Sequence, residues 1–178
     1  MAKPKAKTLQ ESMGFCDAEL ATKDHDDLMI ILDSNIESAV IACYPRLSEV
    51  RQFWKVKTRW EQVVGKYSGP SRTPYIVGFI DLVAHIKIDM NGYMEKFGLN
   101  HDQLCDDDHH FKDVQDIAFE VKTKLNSIGE IIRQLRVYEV HSRGMYKFCV
   151  FAPSSEKSKA LESQGIMFLE APSLGGDL

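Results

Sequence analysis

With 178 residues, 44% hydrophobic, 27% charged and a net charge of -4, the chain has the composition of one globular domain with a sizeable core. The acidic balance disfavours non-specific nucleic-acid binding over the whole surface, and no apolar run approaches the roughly 20 residues that span a bilayer. The four cysteines, Cys16, Cys43, Cys105 and Cys149, are scattered with no C-x-x-C pair, which argues against a structural zinc site or an iron–sulfur cluster and for reduced thiols. The opening Met-Ala-Lys-Pro-Lys-Ala-Lys lacks the apolar core of a signal peptide, so the expectation is a cytoplasmic protein with no membrane partner.

Residues 1–25 carry little apolar pattern and read as a loose tail. From Asp26 to Ala42 the positions Leu28, Ile31, Leu32, Ile36, Ala39 and Val40 recur at helical spacing, with a break near Asp33-Ser34-Asn35 and a stop at Pro45. Ser48–Trp54 is a short helix or irregular. Val56–Val64 reads as a strand, and a turn carrying Gly69 and Pro70 leads into the longest strand, Tyr75–Ile88. Both faces of that strand are apolar, as expected of a central strand covered on each side, and Asp81 lies within it. A carboxylate there is costly unless something pairs with it or coordinates it.

Residues 89–114 read as an insertion with Gly92, Gly98 and the acidic run Asp106-Asp107-Asp108-His109-His110. An exposed loop is the better reading than a metal site from His101, His109 and His110, because adjacent residues rarely converge on one ion. Ile117, Phe119 and Val121 then alternate as a strand, which puts Glu120 and Lys122 on its other face. Asn126 or Ser127 can cap a following helix, with Glu130 as a capping-box acid and Ile128, Ile131, Ile132 and Leu135 as its buried stripe. Gln134 and Tyr138, four apart, share one edge of that helix. Met145–Phe151 reads as a buried strand, Glu156–Gln164 as a helix stopped by Gly165, and Ile166–Leu169 as a short last strand before a tail at 171–178. Basic residues cluster at Lys55, Lys57, Arg59, Lys66 and Arg72, and again at Arg133, Arg136, Arg143 and Lys147. A local basic surface of this kind can carry a phosphate backbone or be a solvated face. Trp54 and Trp60 read as core or sheet residues rather than base-stacking platforms.

Asp81 within Gly78-Phe79-Ile80-Asp81-Leu82-Val83, Glu120-x-Lys122 within Phe119-Glu120-Val121-Lys122-Thr123, and Gln134-Leu135-Arg136-Val137-Tyr138 behind them resemble the PD-(D/E)xK nuclease superfamily. The last element is similar to the Q-x-x-x-Y helix motif of its RecB-like branch. The resemblance covers roughly residues 28–170, with Ile80 where the family has a proline. It implies an α/β (α+β), restriction-endonuclease-like core, a central mixed sheet of four to five strands flanked by helices, as a single domain over residues 26–170. It also implies a magnesium-dependent hydrolase acting on nucleic acid, DNA favoured, with manganese as a plausible substitute.

In that reading Asp81, Glu120 and Lys122 are catalytic. Asp81, Glu120 and the Val121 carbonyl are metal ligands, with Glu37 as the candidate helix acid and Glu49 in reserve, and Gln134 and Tyr138 hold substrate. The chemistry calls for such groups: a hard divalent cation takes carboxylate and carbonyl oxygens, and a lysine stabilises developing phosphate charge. End- or single-strand processing is favoured. A Holliday-junction resolvase or restriction-type endonuclease, and a non-catalytic nucleic-acid-binding or interaction module, are the alternatives. Substrate structure and oligomeric state stay open.

Overall fold

Thr22 caps the first helix: its side-chain oxygen accepts the His25 N–H at 3.3 Å, and Asp24 and Asp26 sit in the first turn, where the helix dipole favours negative charge. The computed structural model describes residues 22–68, 73–100, 110–153 and 156–173. The readings of 1–21 and 174–178 as tails and of His101 and His109 fall outside those residues. Of the turn expected at 65–73 only 69–72 lies outside, since 65–68 and 73 are strand, and Ala171, expected to open the tail, is buried and donates its N–H to the Ala152 carbonyl at 2.8 Å.

Helix α1, Lys23–Ser34, starts three residues before the apolar pattern announces it, so Lys23, Asp24 and His25 are helical rather than tail. Its buried residues are His25, Leu28, Met29 and Leu32. Asn35 separates it from α2, Ile36–Cys43, where the Asn35 side-chain amide donates to the Ile31 carbonyl at 2.8 Å. The stretch after Pro45 forms two 3-10 turns, Pro45–Ser48 and Arg51–Phe53. They pack beneath Trp54, whose indole N–H donates to the Leu47 carbonyl at 2.9 Å.

Strands β1, Trp54–Ser68, and β2, Thr73–Ile88, form a long antiparallel hairpin. Helix α3, Met90–Phe97, follows; then come β3, Asp116–Val121; α4, Ile128–Ser142; β4, Tyr146–Ala152; α5, Ser158–Glu162; and β5, Met167–Glu170. The sheet has five strands in the order β1-β2-β3-β4-β5. It is antiparallel from β1 to β3 and parallel from β3 to β5, a central mixed sheet flanked by helices with the architecture of a restriction-endonuclease-like core.

Helices α1 and α2 cover one face, where Leu28, Leu32 and Val40 meet Leu82, Ala84, Ile117, Phe119 and Val121. Helix α4 covers the other, where Ile131, Leu135 and Tyr138 meet Ile80, Val83, Ala118 and Val150. Strict alternation along β2 fails at Asp81, since Ile80 and Val83 belong to the α4 side and Leu82 to the α1 side. The neighbouring strand is irregular at the same level: Glu61, between the pairs Trp60–Leu82 and Gln62–Ile80, has a φ of 50°.

The insertion differs from the expected loop over its first part. Asp89 caps α3, accepting the Gly92 N–H at 3.0 Å, and Gly98, at φ 64°, closes the helix in the left-handed conformation. Tyr93 is buried edge-on against Phe53 and Phe111, so aromatic packing holds this segment to the core. Trp54 is buried as expected, whereas Trp60 is 41% exposed. No helix of the described residues is long and apolar enough to cross a membrane.

Candidate functional site

Strands β2 and β3 pair at only three positions, Leu82–Phe119, Val83–Ala118 and Ala84–Ile117. Beyond Leu82 they part, and the Asp81 side chain takes up the missing ladder bond: its Oδ2 accepts the Val121 N–H at 2.8 Å. The next residue, Lys122, is tied to β4, its backbone N–H donating to the Phe151 carbonyl at 3.0 Å. Carboxylates and ammonium are thus fixed by backbone on both sides of the fork.

Glu120 and Lys122, two apart, lie on one face as the strand period requires, and Lys122 Nζ stands 3.0 Å from Glu120 Oε1. That oxygen also accepts from Gln134 Nε2 at 2.8 Å, and the same amide donates to the Tyr138 hydroxyl at 2.9 Å. Helix α4 can come this close because residue 78 is glycine: a Cβ there would lie 2.6 Å from the Tyr138 oxygen. The structure therefore brings together Asp81, Glu120, Lys122, Gln134 and Tyr138, from two strands and one helix.

Two residues depart from the sequence reading. Glu37 does not join the site. It is exposed on α2 and pairs with Arg51, because Ile36, Ala39 and Val40 take the buried stripe of that helix. Glu49, the reserve, is also exposed, 3.7 Å from His110. The helical side chain that does arrive is His25, unforeseen from the sequence, whose Nε2 lies 3.7 Å from Asp81 Oδ2. A signal for it was present: His25, Leu28, Met29 and Leu32 are spaced i, i+3, i+4 and i+7, so the buried stripe extends one turn back.

The charges here are almost wholly buried, with Asp81 3%, Glu120 2%, Lys122 7% and His25 5% exposed. Burial, and then the Asp81 charge, push the Glu120 carboxyl up to about 8, against the opposing pull of Lys122 and Gln134. Burial works against protonation of His25, but its contact with Asp81 outweighs this and holds its pKa above the ordinary value. Burial, and then the Glu120 charge, push the Tyr138 hydroxyl up to about 12, so it stays protonated.

The pocket thus disfavours a second negative charge beside Asp81. Glu120 Oε2 and His25 Nε2 are buried without a hydrogen-bond partner among the described residues. A cation between the carboxylates would favour ionised Glu120 and engage its Oε2, so the carboxylate donors fit a hard divalent ion. Among the described residues no group of three or more His, Cys, Asp and Glu is arranged to hold a metal by itself. Magnesium does not require one, since it is usually bound through one or two carboxylates and keeps several waters.

Compared with protein-family models, with curated proteins and with solved structures, the chain matches none.

Proposed function

We propose that the protein is a metal-dependent nuclease that hydrolyses phosphodiester bonds in DNA, with Asp81, Glu120 and Lys122 as catalytic residues. The observation that carries this reading is the buried, under-compensated carboxylate pair at the β2–β3 fork with an ammonium 3.0 Å from one of its oxygens. A purely structural salt-bridge cluster has no reason to leave Glu120 Oε2 without a partner among the described residues.

Asp81 and Glu120, with the Val121 carbonyl as a further donor, would hold magnesium or manganese, which supplies charge to a phosphate oxygen and makes an attacking water more acidic. The chain's own groups do the rest. Lys122 keeps a fixed positive charge where the phosphate gains negative charge. Gln134 orients Glu120 through its amide, and the protonated Tyr138 orients Gln134. Both also line the approach for the nucleic-acid strand. The Q-x-x-x-Y element favours processing of ends or single strands.

The test is cleavage of labelled single-stranded, duplex, flapped and branched oligonucleotides with magnesium. Glu120→Ala and Lys122→Ala should each lower the rate by a factor on the order of 10²–10³ or more, with the fold retained by circular dichroism. Tyr138→Phe should lower it by only about tenfold. Cleavage at the wild-type rate by both alanine variants would refute the assignment.

A second reading, a non-catalytic module that keeps the scaffold, draws on the same Glu120 oxygen, already engaged by both Lys122 and Gln134. Binding without cleavage of every oligonucleotide would select it.

A further inference from the structure

A second polar arrangement lies elsewhere on the sheet. Lys57 pairs with His85 across β1 and β2, and Asp116 pairs with Tyr146 across β3 and β4. His85 Nδ1 lies 2.7 Å from Asp116 Oδ2, which joins the two pairs into one row across four strands. Asp116 Oδ1 accepts the Ile86 N–H at 2.8 Å, so both oxygens of this carboxylate are engaged. Arg59 lies two residues along β1 from Lys57, opposite Val83 on β2.

Alternate residues share a face, so Lys55, Lys57 and Arg59 on β1 lie together, with His85 and Lys87 opposite on β2. Lys55 directly faces Lys87. All three lysines and Arg59 are exposed, and none makes an ion pair among the described residues. Like charges directly opposite one another destabilise a strand pair. Among the described residues no ion pair offsets this one, and the nearby Asp116 is already taken by His85. A protein with net charge -4 has here gathered four cations and a histidine on two adjacent strands.

We infer that this face, formed by Lys55, Lys57, Arg59, His85 and Lys87, binds the phosphodiester backbone of a nucleic-acid strand. The ligand neutralises the opposed lysines, and Asp116 fixes the His85 ring through its Nδ1. The row lies four residues from Glu120 along β3, about 13 Å at the usual strand rise, and so forms a subsite separate from the buried fork. As a substrate-holding surface it rests on the nuclease reading, but its test does not.

The experiment is fluorescence anisotropy of a fluorescein-labelled single-stranded DNA oligonucleotide with EDTA present, over a range of salt. The combined variant Lys55→Gln, Lys57→Gln, Arg59→Gln should bind at least about tenfold more weakly. Its slope of log affinity against log salt should be shallower by about 2, since each lost contact to a single strand removes about 0.7. Its melting temperature should not fall, because the Lys55–Lys87 repulsion is gone. If the triple variant fails to fold, Lys55→Gln alone should still reduce the slope by about 0.7.

Unchanged affinity and slope in a folded variant would overturn the inference. So would displacement of the oligonucleotide by inorganic phosphate far below the chloride concentration that achieves it, which would mark a single-phosphate ligand. Binding through these residues by a wild-type protein that cuts nothing would remove the nuclease reading and leave this one. Cleavage with binding indifferent to the variants would do the reverse.

Discussion

The short ladder between β2 and β3 ends on an aspartate at both extremities, and the two ends behave oppositely. At one, the Asp81 carboxylate on β2 accepts the Val121 N–H of β3 at 2.8 Å. At the other, the Asp116 carboxylate on β3 accepts the Ile86 N–H of β2, also at 2.8 Å. In each case a side-chain oxygen replaces a backbone carbonyl where the strands stop pairing. Asp81 is buried beside a second carboxylate, so ionising both costs more where water cannot screen them, and Glu120 is pushed up to about 8. Asp116 is half-exposed and matched by His85, among lysines and an arginine. The same backbone substitution therefore gives a cation-seeking pocket at one end and an anion-seeking face at the other. Burial and the neighbouring charges decide which.

The largest expected contrast comes from the same change at both ends. Asp81→Asn should reduce magnesium-dependent cleavage by a factor on the order of 10² or more, whereas Asp116→Asn should leave the rate within a few-fold. The amide oxygen can still accept the backbone N–H in both, so stability should change little and the rates isolate the charge. Equal losses of activity would mean that the two ends act as one site.

Gly78→Ala should come next. The new methyl group would meet the Tyr138 ring and push α4 away from the fork, at a cost of about 1–3 kcal/mol in urea denaturation and with weaker cleavage. A variant as stable and as active as wild type would show that the Gln134–Tyr138 chain needs no close contact with β2.

The smallest effect is on the pH dependence of stability without metal. Glu120 is raised from an ordinary value of 4.5 to about 8, and His25 is also raised, so for both the folded protein favours the protonated form. That contribution is fully present below the unfolded values and is lost as pH rises through the folded ones. With EDTA, the melting temperature should therefore fall between about pH 5 and pH 8. Asp81, Lys122, Gln134 and Tyr138 face Glu120 and set the size of the change. Magnesium should restore more at pH 8 than at pH 6 if it replaces the proton. A melting temperature that rises over this range in EDTA would contradict the burial of an uncompensated carboxylate pair.

Much of the arrangement follows from periodicity. Alternation at Ile117, Phe119 and Val121 put Glu120 and Lys122 on one face, and helical spacing put Gln134 and Tyr138 on one edge of α4. The break between α1 and α2 was visible at Asn35, although the start of α1 was not. Expecting the helix acid at Glu37 failed because a polar residue in a helix carries no mark of which neighbour its face will meet.

The amino-acid order alone determined the strands and helices whose apolar period runs unbroken, β3 and α4 above all, and which side of each is buried, since those follow from contacts within a few residues. Only the tertiary structure decided that β2 and β3 part at Asp81, that His25 rather than Glu37 arrives there, and that Lys55 opposes Lys87. Those outcomes depend on how strands pair and where helices dock. Such contacts join residues far apart in the chain, and local patterning does not record them.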